Sequence, residues 1–404
     1  MTHVAVVGAG PGGAAAAYLL ARRGIRVTLI ERQSDFAREF RGEVLMPSGV
    51  DALRQMGLEE AFEALPQTSP RHVDVHVGGR FVQRFDLPDV IEDSPRMVSQ
   101  PHMLEMLVAQ AGAFEGFRFV RGRAVGTLLG EGGRCAGIRL RDDGEEIRAD
   151  LVIGADGRGS VVRRRAGLHE ERDAELFDVV WFKLPMPDAL RRAGGALQVF
   201  LRPGHACLAL PTFDDRMQVA WIIQKGRYGD LKQRGTDAWL ADLGAQLAGP
   251  LREQVLAARE ALEHPFVLDV VCYLLERWTA PGVLLIGDAA HPMSPVGGQG
   301  LNIALRDALV AANRLVPVLE AGADRGRLDA ACVAVQEERL PEVREVERLQ
   351  RIPPRFFFRG GPLVPLLLWL ASRVLPLSFV RRHARPPAIA RTFLNGVTRV
   401  RLTV

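Results

Sequence analysis

Apolar positions along this chain fall into runs whose spacing changes from region to region. Val4–Val7 is a short β-branched run that reads as a buried strand. It enters a glycine turn, GAGPGG at residues 8–13, and an alanine-rich stretch, Ala14–Arg23, that reads as a helix closed by Gly24. Ile25–Ile30 is a second strand with Glu31 at its end, and an amphipathic helix is expected over Ser48–Met56. His72–Val77 and Arg80–Leu87 alternate apolar and polar about Gly78-Gly79, which predicts a hairpin. Helical spacing returns at Met103–Ala113 and strand spacing at Phe117–Val120 and Ala124–Leu129. Ile138–Leu140 and Ile147–Ile153 predict another hairpin about Asp143-Gly144.

From Val179 to Val271 the pattern changes. Val179–Leu184, Leu197–Leu201, Ala206–Leu210 and Met217–Ile223 follow one another with Pro and Gly turns; Asp237–Leu247 and Leu251–Leu262 then carry helical spacing. Strands in succession without intervening helices predict an antiparallel sheet. Val283–Ile286 is one more buried strand, leading through GDAAHPMSPVGGQGLN at 287–302 into a helix-like run, Leu301–Leu315. Glu320–Arg351 is charge-rich and helical, with a break expected at Pro341. The expected fold is α/β. A Rossmann-like dinucleotide-binding domain with a GxGxxG turn (1–71, 96–176 and 265–345) carries an inserted, mostly antiparallel β-sheet substrate domain (72–95 and 177–264). A helical C-terminal segment, 346–404, follows.

Composition narrows the function class. With 404 residues, 48% hydrophobic and 25% charged, the chain can bury sizeable cores. Net charge is +4 and the arginines are scattered among acids, so no nucleic acid partner is expected. The only lysines are Lys183, Lys225 and Lys232. Cys135, Cys207, Cys272 and Cys332 are far apart, which argues against a metal site or disulfide framework and fits a reducing cytoplasm. No signal peptide is expected. Residues 362–380 are apolar, but prolines cut the run and Arg373 lies within it, so no transmembrane span is expected. The preferred reading is a helix pair closing over the rest of the protein. The alternative is a peripheral membrane contact through Arg381, Arg382 and Arg385.

The glycine turns carry the chemistry. In the first, Gly8 permits the turn, Gly10 lets backbone approach a pyrophosphate, Gly13 lets helix pack on strand, and Glu31 is placed for a ribose hydroxyl. This fingerprint does not separate FAD from NAD, and Arg32 decides neither. Arg41, just before the Ser48–Met56 helix, can reach a pyrophosphate; the competing reading is a salt bridge with Glu39 or Glu43. A second acid–glycine turn, GADGRGS at 154–160, follows a strand with Asp156 and Gly157. In the third, Asp288 can accept from sugar hydroxyls, and the first N–H groups of the following helix, near Gly300, Leu301 and Asn302, present partial positive charge. Such turns after separate strands argue for one dinucleotide held from several sides rather than a plain nicotinamide dehydrogenase. Trp181, Lys183, His205, Trp221 and Gln224 read as packing or surface residues.

With these motifs in order over residues 1–345, the chain resembles the class A FAD-dependent aromatic hydroxylases, the para-hydroxybenzoate hydroxylase-like monooxygenases. The resemblance implies FAD as cofactor, with NAD(P)H as transient co-substrate. Gly8, Gly10, Pro11, Gly12 and Gly13 would hold the pyrophosphate, and Glu31 and Arg32 the adenosine side. Arg41 and Gln100 would face FAD, backbone near Val125 the adenine, and Asp156 and Gly157 both FAD and NAD(P)H. Asp288 would meet the ribityl or pyrophosphate portion, and Pro295, Gly298, Gly300, Leu301 and Asn302 the isoalloxazine. The implied reaction inserts one atom of O2, through a flavin C4a-hydroperoxide, into an aromatic, polyketide-like or other lipophilic small molecule by hydroxylation or epoxidation. No protein acid or base is named, and His291 and His205 stay unassigned. Tyr18, Tyr228 and Tyr273 sit in no matching motif. A reductase of an isoprenoid chain or a halogenase shares the scaffold; only Trp181-Phe182-Lys183-Leu184-Pro185 faintly echoes a halogenase run.

Overall fold

The computed structural model describes residues 2–37, 43–87, 93–170, 176–202, 204–258, 263–322, 324–354 and 388–404. Arg41 and the apolar tail stretch 362–385, with Arg381, Arg382 and Arg385, lie outside the described residues.

The fold is mixed α/β. A six-stranded sheet runs in the order Thr279–Ala280, Val283–Leu285, Leu151–Gly154, His3–Val7, Arg26–Glu31, Phe117–Arg121, and every pairing except the first is parallel. Its central strands are apolar on both faces because both are covered, one by helices including Pro11–Arg22, Gln100–Gly112 and Gly300–Glu320, the other largely by a three-stranded antiparallel sheet of Val125–Glu131, Arg134–Leu140 and Glu146–Arg148. The alanine-rich Pro11–Arg22 helix packs against the Gly300–Glu320 helix, and both contribute to one continuous core with Val4, Val6, Leu29 and Ile153. Small side chains allow this approach: a Cβ on Gly12 would lie 3.1 Å from the Ala304 carbonyl.

A seven-stranded, mostly antiparallel sheet forms the second body: Glu263–Leu268, Phe177–Pro185, Arg216–Gln224, His205–Pro211, Leu197–Arg202, His72–Val77 and Arg80–Asp86. The early hairpin joins the later strands through a parallel pairing of His72–Val77 with Leu197–Arg202. One face of this sheet, with Phe182, Leu184 and Trp221, is covered by the Thr236–Gly244 and Gly249–Ala257 helices through Trp239, Leu240, Leu243 and Val255. The other face, with Phe177, Val179 and Ala220, packs with Val270, Cys272 and Val296.

Two expectations are corrected. The run Ile147–Ile153 is not one hairpin arm: Glu146–Arg148 pairs with Arg134–Leu140, and Leu151–Gly154 leaves to join the parallel sheet. Asp150 makes the switch, its carboxylate accepting from His3 N–H at 2.8 Å and its own N–H donating to the His3 carbonyl at 2.8 Å. Pro341 does not break the charged helix, which runs unbroken over Arg325–Gln350. The missing N–H costs one backbone bond, but Val335, Arg339, Glu342, Val343 and Val346 are buried on either side and hold the helix in place. Among the described residues no helix is long and apolar enough to cross a membrane.

Candidate active site

The parallel strands point their C-terminal ends to one edge, and the chain crosses from one side of His3–Val7 to the other between Arg26–Glu31 and Leu151–Gly154. Ligands of open α/β sheets bind at such a switch point. Gly8 has φ +99, and a Cβ there would sit 2.4 Å from the Ala155 carbonyl, so only glycine fits where the two turns meet. A Cβ on Gly13 would fall 1.9 Å from the Gly8 carbonyl, whereas one on Gly10 would meet nothing within 4 Å. The loop is therefore closed on its protein side and open in front of Gly10. Pro11 occupies the first helical turn, and the first intrahelical bond, Ala14 N–H to the Gly10 carbonyl at 2.9 Å, leaves the Gly12 and Gly13 N–H groups ahead of it.

Glu31 is buried at the end of its strand and clasps the loop, accepting from Ala9 N–H at 2.9 Å and Gln33 N–H at 3.0 Å. Arg32 is exposed, Gln100 is half-buried in the first turn of the Gln100–Gly112 helix, and Val125 is buried at the start of its strand. Asp156 is engaged within its own turn. Its carboxylate takes the Ser160 hydroxyl and the N–H groups of Val161 (2.6 Å) and Val162 (3.2 Å), capping the short Val161–Arg165 helix. Burial raises its pKa despite these bonds. Gly157, at φ +78, makes the turn that lets the carboxylate fold back.

The third turn is held from behind. Gly287 N–H donates to Asp307 at 3.0 Å, and Asp288, exposed beyond it, has its Oδ1 3.8 Å from where a Gly300 Cβ would be. Pro295 and Gly298 close a tight turn (Gly298 N–H to Pro295 carbonyl, 3.0 Å) whose carbonyls are gathered by buried amides. Gln299 donates to Gly297 at 2.8 Å and Asn302 to Gly298 at 2.8 Å, while Gln350 donates to Ser294 at 2.9 Å and Val296 at 2.8 Å. The Asn302 oxygen also accepts from Met46 N–H at 2.8 Å, so Asn302 can offer a ligand only its backbone N–H. The first bond of the Gly300–Glu320 helix, Ile303 N–H to Gln299, leaves the N–H groups of Gly300, Leu301 and Asn302 ahead of it. The C-terminal Ala388–Asn395 helix presses on this turn: Gln299 also donates to the Phe393 carbonyl at 2.8 Å, and the Phe393 ring would be 2.7 Å from a Gly297 Cβ.

His291 is structural. Its Nε2 lies 2.8 Å from Asp307 Oδ2, and Asp307 is joined through Arg339 and Glu342 to Arg306, all buried. Burial works against charge on both partners, but their mutual attraction wins: the His291 pKa is raised and the Asp307 carboxyl is held at about 2. Tyr18 donates to the Met56 carbonyl, away from the turns, whereas Tyr273 links two of them, its hydroxyl donating to the Arg158 carbonyl of the second at 3.0 Å and its N–H to the Pro292 carbonyl of the third at 3.2 Å. His205 is exposed, and Trp221 is buried and donates to Gln246 at 3.2 Å.

Val296 packs against the buried cluster of Phe177, Val179, Ala220, Val270 and Cys272, which Trp181, Leu208 and Ile222 also join, so the Pro295–Gly298 turn meets the open side of the seven-stranded sheet. One strongly polar group on that side was missed in the sequence. Lys183 is 3% exposed, with its Nζ 3.3 Å from Glu43 Oε1 and 3.8 Å from Asp214. Its signal was periodicity: it shares the otherwise apolar face of Phe177, Val179 and Trp181 on its strand.

A family model described as "FAD binding domain" matches residues 1–350. The 6-methylpretetramide 4-monooxygenase of Streptomyces rimosus is 34% identical over 370 residues, 89% of this chain and 85% of that protein. The kynurenine 3-monooxygenase of Stenotrophomonas maltophilia is 32% identical over 368 residues, 86% and 77% of the two chains. This chain belongs to the FAD-dependent aromatic monooxygenase family. PqsL of Pseudomonas aeruginosa, solved with 2-aminobenzoylacetate, shares the fold with a TM-score of 0.77 at 20% identity, covering 91% of this chain and 100% of that one. The halogenase CmlS also shares it, with a TM-score of 0.72 at 21% identity over 94% of this chain and 69% of that one. Family membership makes the protein an oxidoreductase with FAD as cofactor and NAD(P)H as reductant. The open space before Gly10 and the helix-start N–H groups at the first and third turns, without intrahelical acceptors among the described residues, fit such a group.

Proposed function

We propose that this monooxygenase hydroxylates an aromatic, polyketide-like small molecule lying between the Pro295–Gly298 turn and the open face of the seven-stranded sheet. The observation that carries the reading is the meeting of that turn with an apolar face. Leu208, Trp181 and Ile222 there are only partly buried, so they offer surface to a flat apolar guest. The Streptomyces rimosus relative, 34% identical over 89% of this chain, acts, by its name, on 6-methylpretetramide.

Residues 1–71, 96–176 and 265–345 then act as the FAD domain, 72–95 and 177–264 as the substrate domain, and 346–404 as the C-terminal segment. Gly10, Gly12 and Gly13 receive the pyrophosphate. Glu31, already clasping the loop, retains lone pairs for a ribose hydroxyl, and Asp288 stands at the ribityl side. The N–H groups of Gly300, Leu301 and Asn302 stabilise negative charge at the flavin's pyrimidine edge. Bound FAD supplies the redox chemistry by which oxygen is activated. The protein orients the substrate, and the amides of Gln299, Asn302 and Gln350 keep the turn rigid while the apolar face excludes water. Arg32, Arg41, Gln100, Val125, Asp156 and Gly157 complete the cofactor surroundings in this reading, Asp156 by shaping its turn.

The test is NAD(P)H oxidation by purified protein against a panel of polycyclic phenols, with product mass recorded. A substrate-stimulated rate with a product heavier by one oxygen supports the reading; stimulation by none of the aromatics, or only by aliphatic chains, defeats it.

A further inference from the structure

This inference rests on the reading of the open sheet face as the substrate compartment, and it names the group that face recognises. Lys183 and Glu43 bridge the compartment's two walls. Lys183 stands on the Phe177–Pro185 strand, and Glu43 precedes Val44, which lies 3.5 Å from a Gly298 Cβ position and accepts from Asn302 at 3.4 Å. Glu43 is 6% exposed; its Oε1 meets Lys183 at 3.3 Å, but its buried Oε2 has no hydrogen-bond partner among the described residues. Such an orphaned buried acceptor costs about 1–3 kcal/mol and is open to a donor that enters the compartment. The Phe213 ring, 5.3 Å from the Lys183 Nζ and 6.2 Å from the His102 ring, closes one side of the cluster, and Asp214 stands 3.8 Å from Nζ.

We propose that Lys183 and Glu43 recognise the ionisable hydroxyl of a phenolic or enolic substrate, Lys183 binding its oxygen and Glu43 Oε2 accepting its proton. The substrate O–H bond breaks, its electron pair stays on oxygen, and the proton forms a bond to Oε2. Glu43 becomes neutral as the substrate becomes an oxyanion, so the charge beside the Lys183 ammonium is conserved. Burial raises the proton affinity of Glu43, Lys183 opposes that, and the negative charge of Asp214 adds to it. The oxyanion also raises electron density on the ring that receives oxygen. Lys183 is thus a specificity-determining residue rather than the packing residue its sequence context implied.

The test uses holoenzyme and two probes, 2-hydroxyanthraquinone and its methyl ether, followed by equilibrium titration and by the probe's own phenolate absorbance. Wild type should bind the phenol as phenolate at a pH below the probe's solution pKa, at least tenfold tighter than the ether. K183M should lose tenfold or more for the phenol and little for the ether; E43Q should bind the phenol un-ionised. Since K183M leaves a buried carboxylate unpaired, E43Q/K183M, a neutral pair, repeats the comparison in a chain without that penalty. Equal affinity for both probes in wild type, a bound phenol that stays neutral, or parallel losses for both probes in K183M and the double variant would overturn the proposal. FAD content, measured after heat release, reports separately on the flavin reading: a wild type without FAD fails that reading, while the equilibrium probe comparison still decides this one.

Discussion

Met46 and Asn302 are joined across most of the chain by a hydrogen bond of 2.8 Å from the Met46 N–H to the Asn302 carboxamide oxygen. The same side chain donates to the Gly298 carbonyl at 2.8 Å, so one buried amide ties the strand after Glu43 to the turn that faces the sheet. N302A leaves these backbone groups unsatisfied, at about 1–3 kcal/mol by the usual cost of orphaned groups. N302D should be worse, because a carboxylate would face the Gly298 and Val44 carbonyls. Urea unfolding should rank wild type above N302A above N302D, and FAD content should fall in the same order.

The buried Asp307–His291 pair sets a pH window. Asp307, held at about 2 against an unfolded value of about 3.9, contributes stability that is present above about pH 3.9 and lost as pH falls through about 2. The His291 pKa is raised, so its contribution is full below about pH 6.5 and lost as pH rises through its folded value. H291Q keeps a donor to Asp307 without a charge. Urea unfolding from pH 6 to pH 9 should show wild-type stability declining and H291Q nearly flat; equal slopes would remove His291 from the account.

Glycines of the first turn should separate binding from folding. G13A places a methyl group 1.9 Å from the Gly8 carbonyl and should unfold the domain or cost several kcal/mol, about the range of severe overpacking. G10A meets no protein atom within 4 Å and has φ −70, so its apo stability should match wild type while FAD affinity drops. D288A, altering an exposed side chain, should likewise lower FAD occupancy.

Phe393 lies against Gly297, so the C-terminal helix buttresses the turn. F393A should loosen it, and the ratio of hydroxylated product to NAD(P)H consumed should fall while NAD(P)H oxidation persists. Unchanged coupling would assign Phe393 to packing alone.

Legibility in the sequence followed the range of the forces involved. The parallel strands, the glycine turns and the Gly300–Glu320 helix start were readable because local sterics and periodicity decide them: Gly8 and Gly13 admit no side chain. The split at Asp150 was hidden because it depends on His3, far away in sequence. The hold of Asp156 on the Val161–Arg165 helix was not legible because an acid before a glycine turn looks the same whether it meets a ligand or caps a helix. Lys183 and Glu43 went unpaired in the sequence for the same reason: 140 residues separate them, and only the packing of two sheets brings them to 3.3 Å. Pro341 looked like a break because local propensity was weighed without the tertiary packing that overrides it.

The central claim is that this site inserts one oxygen atom from O2 into an aromatic guest. Incubating FAD-loaded protein with NAD(P)H, a polycyclic phenol that stimulates its oxidation and 18O2 tests it most directly by product mass. The account predicts a product carrying one 18O atom and no oxygen from water. A product gaining two hydrogens, a halogenated product, or oxygen drawn only from water would contradict it.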